Sequence, residues 1–200
     1  MRIDAAYFAQ GVTYEEFKAS MTRNREQVEA NERAVPLDPA DVAALRALPR
    51  PLHVVAIVED WCADVVANLP VLARLAEASG KLDLRVFDKS KHPEAIGRYK
   101  KEGKFESIPV FVFFDEAFRE VGVWIERPAS VTARRAERRA AIYASDRAFG
   151  SPDAPPADLP DEVRARLLAA LLQMRADLKP WADREVIREL REIVGRAVAA

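Results

Sequence analysis

The sequence is poor in the residues that usually announce chemistry: one cysteine, two histidines and seven glycines in 200 residues. A single cysteine cannot close an internal disulfide. The chain is therefore not a small secreted scaffold held by disulfides, and a reducing cytoplasm is the expected setting. The histidines, His53 and His92, are not spaced as ligands with Cys62, so no metal site is expected. No apolar run reaches the length of a membrane span, and the longest, around 52–58 and 108–114, are strand-sized. The start, Met1-Arg2-Ile3-Asp4, carries an acid and no apolar core behind it, unlike a signal peptide. The net charge is -1, so no global field draws in nucleic acid or an anionic membrane. No phosphate loop, supported Ser-His-Asp pattern or carboxylate pair with a defined cleft stands out, and no cofactor is expected.

What is present suits a globular domain, with 50% apolar and 32% charged residues. Thr13-Tyr14-Glu15-Glu16 reads as a capping box that opens a polar helix over about 14–33. Asp38-Pro39-Ala40-Asp41 opens a second helix, over about 39–47, with an acid placed to favour the helix dipole. These fifty residues read as a helical arm, 1–50.

From position 52 the period changes. Leu52-His53-Val54-Val55-Ala56-Ile57-Val58 is nearly continuous and β-branched, the pattern of a central strand buried on both faces. A helix over about 62–79 comes next, with Gly80 as its stop and Pro70 as a kink. Residues 82–87 alternate as a second strand. His92-Pro93 opens a short helix ending near Gly103. Residues 107–114 make a third strand, and 119–125 a fourth and its hairpin partner. The order predicts a small mixed sheet under helices, spanning 51–128.

Beyond Arg127-Pro128 the strands stop, and 129–200 reads as a C-terminal helical extension packed on the core or forming a dimer surface. A helix over about 129–147 is rich in Ala and Arg. A Pro-rich loop, 151–158, comes after it. Val163, Leu167, Leu171, Met174 and Leu178 mark one apolar helix face. Pro180 is expected to break that helix, and Val186, Ile187, Leu190, Val194 and Val198 mark another. Arg127, Arg134, Arg135, Arg138, Arg139 and Arg147 form a basic stretch. With no aromatic stacking pattern beside it, a solvated face is expected rather than a nucleic-acid surface.

The span from about 52 to 127 resembles the thioredoxin superfamily. A buried strand leads to Trp61-Cys62, and a helix begins at the cysteine. Pro70 falls at the family's kink, and Ile108-Pro109 at its cis-proline loop, before a strand and a hairpin. With the Thr13–Phe17 helix, Glu59-Asp60-Trp61-Cys62-x-Asp64 and Trp124-x-x-Arg127-Pro128, most of the chain is similar to a bacterial branch of thioredoxin-like proteins with a Trp-Cys-x-Asp turn. The resemblance implies an α/β thioredoxin-like fold with helical extensions at both ends. It implies Cys62 as nucleophile, its thiolate favoured by the helix start. Trp61, Ile108 and Pro109 would form a groove for an extended peptide or a small thiol.

Two departures from the family pattern restrict the chemistry. Val65 stands where the resolving cysteine would be, and Ala56 where the thioredoxins proper carry a buried Asp. A dithiol enzyme frees itself with that second thiol. Here release needs an outside thiol, so the chain is at most a monothiol disulfide oxidoreductase and not a dithiol thioredoxin. Glu59, Asp60 and Asp64 sit beside Cys62 with no cation in the turn. Asp60 and Asp64 are therefore expected to modulate the thiol, raising its pKa against the pull of the helix start. The first reading is one-thiol exchange with a glutathione-like compound or a protein disulfide. A non-catalytic thioredoxin-fold binding module is the alternative, and a thiol redox sensor, with Cys62 oxidised or paired to a second copy, is the third. For Cys62 the plain alternative is a small half-buried residue of a degenerate fold; for Trp61 and Trp124 it is packing.

Overall fold

The computed structural model describes residues 2–199, the side chains of 197–199 aside. By contact the chain divides into two compact units, Met1–Arg127 with Val186–Ala200, and Pro128–Glu185.

The larger unit is built on a four-stranded sheet: β1 (Leu52–Val58), β2 (Leu82–Asp88), β3 (Val110–Phe114) and β4 (Glu120–Ile125), in the order β2-β1-β3-β4. β1 runs parallel to β2 in the register Ala56↔Val86, while β3 is antiparallel to β1 and to β4. Val54 to Val58 are all fully buried, as the unbroken β-branched run predicts for a strand covered on both faces. The chain approaches the sheet at Val12, whose backbone exchanges two hydrogen bonds with Val86 (3.0 and 2.8 Å) and so pairs part of the β2 edge. This is the α/β thioredoxin-like architecture that the sequence leads one to expect, with helices added at both ends.

The arm holds four helices, α1 (Ala5–Phe8), α2 (Tyr14–Ser20), α3 (Arg25–Ala34) and α4 (Pro39–Arg46). The capping box forms: Thr13 Oγ1 accepts from the Glu16 amide (3.2 Å) and the Glu16 carboxylate accepts from the Thr13 amide (2.7 Å). The helix expected over 14–33 is broken at 21–24. The amides of Thr22 and Arg23 donate to Asp60 rather than to the preceding turn, and Asn24 takes a left-handed φ of 59°. A remote carboxylate thus outcompetes helix continuity. The main cross-sheet helix, α5 (Ala63–Ser79), carries Pro70 inside it and stops at Gly80, whose φ of 64° only glycine adopts without strain. α3 and α4 pack on α5, and Asn31 Nδ2 donates to the Val66 carbonyl (2.8 Å).

α6 (Pro93–Arg98) is shorter than expected. It ends before a turn in which Lys101 pairs with Phe105 and Glu102 and Gly103 both have positive φ. The last turns of the chain also belong to this unit. Val186, Ile187, Leu190, Ile193 and Val194 enter the main core, so that face of the extension covers the sheet. Val198, the last position of the expected face, lies outside the described side chains.

The smaller unit pairs α7 (Ala129–Ser145) with the first part of α8 (Asp161–Ala199) around Tyr143, Phe149 and Leu167. Exposed Arg134 lies over the Trp181 ring (4.2 Å) and Arg139 over Tyr143 (5.0 Å), and Arg138 is exposed. Pro180 does not break α8, contrary to expectation. A proline inside a helix costs roughly 3 kcal/mol. Buried side chains on both flanking turns, Leu178, Ala182, Val186 and Ile187, hold the helix through it. Among the described residues no helix is long and apolar enough to cross a membrane.

Candidate functional site

β1 delivers the chain to the turn Glu59-Asp60-Trp61, and Cys62 is the N-cap of α5, with an extended backbone (φ -80°, ψ 119°). The first helical hydrogen bond runs from the Val66 amide to the Cys62 carbonyl (3.0 Å). The sulfur therefore sits over the first turn, where backbone N–H groups have no helical acceptor. On its other side lies the loop before β3. The Ile108–Pro109 peptide bond is cis, and the Cys62 thiol donates to the Ile108 carbonyl (3.5 Å). Cys62 is half-buried, Ile108 and Pro109 are buried, and Trp61 is 56% exposed. The loop offers the sulfur a backbone carbonyl. Trp124, the other candidate for a groove, is a core residue: it stacks on Phe111 (centroids 5.0 Å apart, 8° between planes) and donates from Nε1 to Glu189 (2.7 Å).

The three acids of the turn have separate duties. Glu59 accepts from the Ser90 amide (2.7 Å), and burial, with the Asp88 charge, pushes its carboxyl up. Asp60, expected to act on the thiol, turns toward the arm: one oxygen accepts from the Thr22 amide (2.8 Å), the Thr22 hydroxyl (3.0 Å) and the Arg23 amide (3.0 Å). Its carbonyl accepts from Asn24 Nδ2 (2.8 Å). Asp64, in the first turn of α5, lies 3.0 Å from an Arg127 guanidinium nitrogen. The sequence shows no cation in the turn; the fold brings one from the end of β4.

Burial pushes the Cys62 thiol up. The amides of Val65 and Asp64 pull it down, the Asp64 carboxylate raises it, and Arg127 lowers it, with burial prevailing. Val65 and Ala56 are both fully buried.

Behind the sulfur, three segments are laced together through groups that sequence reasoning does not single out. Buried Asn68, one turn into α5, donates to the Glu126 carbonyl (2.9 Å), and the Glu126 amide donates to the Pro109 carbonyl (2.7 Å). Burial alone would raise the Glu126 carboxyl, but Lys101 (2.6 Å) and Arg127 hold it below the usual range. The one visible signal was Trp124-x-x-Arg127-Pro128, which marks the segment but not what it touches. Among the described residues no cluster of His, Cys, Asp and Glu is arranged to hold a metal.

The comparisons agree with this geometry. A family model described as Thioredoxin matches residues 11–139. A crystal structure of an HIV epitope-scaffold superposes with a TM-score of 0.63 at 16% identity, covering 96% of this chain and 98% of that one. A protein of unknown function from Pseudomonas aeruginosa superposes with a TM-score of 0.59 at 19% identity, covering 88% of this chain and 99% of that one. At such identities these two structures speak for the fold alone. No curated protein matches the chain.

Proposed function

The chain belongs to the thioredoxin family, and from that premise we propose that it carries out one-thiol disulfide exchange through Cys62. The Cys62 thiolate attacks one sulfur of a disulfide, of a glutathione-like compound or of a protein. As the new S–S bond forms, the old one breaks, and the departing thiolate takes a proton. An external small thiol then attacks the mixed disulfide and frees Cys62. One partner sulfur leaves as a thiol and the other ends joined to the small thiol, so one S–S bond is exchanged for another and electrons balance without a cofactor; a second small thiol completes the reduction. The reading sets the protein in a reducing cytoplasm, where small thiols are plentiful. A homodimer through the C-terminal helices would use Leu168 and Leu172, large apolar side chains exposed on α8.

The observation that carries this reading is the sulfur at the start of α5, half-buried and 3.5 Å from the Ile108 carbonyl beside Pro109. Trp61 and the Ile108 and Pro109 backbone would receive the partner. Intact mass after treatment with oxidised glutathione tests it. One adduct on the folded protein, removed by reduced glutathione, is expected. An adduct that forms only after denaturation would refute it.

The second reading, a binding module without catalysis, draws on a different observation: burial and Asp64 both raise the thiol and so reduce the thiolate available at neutral pH. Exposed Trp61 would then be an anchor for a partner protein.

A further inference from the structure

Among the described residues around the Cys62 sulfur, two opposite charges form a pair. α5 presents Asp64, and the segment after β4 presents Arg127, 3.0 Å from the Asp64 carboxylate. In the turn, Glu59 is bonded to the Ser90 amide and Asp60 to the arm. The loop before β3 supplies the Ile108 carbonyl. Glu126 pairs with Lys101 and with Arg127 itself. Both members of the pair are shielded, with the Asp64 side chain 13% and the Arg127 side chain 22% exposed. The Arg127 Nε is buried without a hydrogen-bond partner, while its Nη2 reaches both the Asp64 and the Glu126 carboxylates.

We infer that Arg127 is a positioning residue of the Cys62 site: through its ion pair it holds Asp64 in the first turn of α5 and cancels the acid's repulsion of a Cys62 thiolate. Arg127 touches neither substrate nor sulfur in this role. It sets how much thiolate the helix start can support. It also fixes α5 against the segment that carries Glu126, whose amide holds the Pro109 carbonyl (2.7 Å). The pair supplies from the tertiary fold the compensation that the turn lacks in its own sequence. Opposed charges of this kind predict shifts of opposite sign when either is removed.

The inference deepens the reading of Cys62 as a nucleophile, but its test does not depend on catalysis. The measurement is the iodoacetamide alkylation rate of the folded, full-length protein against pH, for Arg127→Met, Asp64→Asn, the double variant and Arg127→Lys. Arg127→Met, which removes the cation beside Asp64 and the sulfur, should slow alkylation at neutral pH by about threefold to tenfold and move the profile alkaline. Asp64→Asn, which removes the acid beside the sulfur and leaves Arg127 paired with Glu126, should speed it and move the profile acidic. The double variant should fall back near the wild type, and Arg127→Lys should recover most of the rate. Two shifts in the same direction, or none, would overturn the inference, because a merely structural role displaces both variants alike. If Arg127→Met does not fold, Arg127→Gln, which keeps a polar side chain without the charge, carries the same test. Opposite shifts in a protein that takes no glutathione adduct would sink the exchange function and support the pair.

Discussion

Replacing Asp60 with alanine removes the acceptor that ties the arm to the active turn. One carboxylate oxygen takes three donors at 2.8 to 3.0 Å: the Thr22 amide, the Thr22 hydroxyl and the Arg23 amide. A shielded hydrogen bond to a charged group contributes about 1.5–3 kcal/mol net. These three are open to water, which replaces part of what is lost, and the bond from Asn24 Nδ2 to the Asp60 backbone carbonyl survives the substitution. The expected loss is therefore about 2 kcal/mol rather than the full sum. For a chain of this length that lowers Tm by about 4–8 °C. Asp60→Asn keeps an oxygen acceptor without its charge, and should recover about half of the loss. Urea denaturation measures the global effect. Amide hydrogen exchange at Thr22 and Arg23 measures the local one, since both amides donate to the Asp60 carboxylate. A loss under about 0.5 kcal/mol with exchange unchanged would refute the argument. The same variant separates two duties of the acid. Alkylation of Cys62 should stay within about twofold of the wild type, because the carboxylate is turned to the arm. A larger acceleration would mean that Asp60 acts on the thiol, as its place in the sequence suggests.

Three further outcomes are expected. Since burial raises the Cys62 thiol, the folded state holds its proton more tightly than the unfolded chain. Its stabilising contribution is then whole below the ordinary thiol value of about 8.5 and is lost as pH rises through the higher folded value; denaturation of wild type and Cys62→Ala at neutral and alkaline pH should converge with rising pH, and parallel curves would contradict the shift. A Cβ added at Gly122 would lie 2.8 Å from Ile193 Cγ2, so Gly122→Ala should cost about 1–3 kcal/mol by overpacking. Ile193→Ala in the same chain should return part of that loss in a double-mutant cycle, and simple additivity would exclude the contact. Finally, because Val65 carries no thiol, the protein should reduce insulin disulfides little or not at all, and robust turbidity in that assay would show that another thiol source resolves the intermediate.

The parts of the site that were legible in the sequence are those whose cause is local. The β1 run ends, a helix starts at Cys62, and Gly80 stops it; each depends on residues within a turn or two. The capping box at Thr13 and the Asp38-Pro39 start formed for the same reason. The failures share a different cause. Nothing within 14–33 opposes a continuous helix; the break at 21–24 depends on Asp60, 36 to 38 residues away along the chain. The turn itself contains no Lys, Arg or His; Arg127 reaches Asp64 from beyond the end of β4. Pro180 reads as a helix breaker until the buried side chains on either side are known.

The stretch from Val54 to Val65 therefore determined by itself the fold landmark and the position of the thiol. Strand burial, helix capping and the lack of a second cysteine are properties of neighbouring residues, and these are written in their order. The environment of that thiol was decided only in three dimensions. Burial, the Ile108 carbonyl and the Asp64–Arg127 pair act through space over a few ångströms, and the sheet order β2-β1-β3-β4 brings together segments that the chain keeps 46 to 63 residues apart.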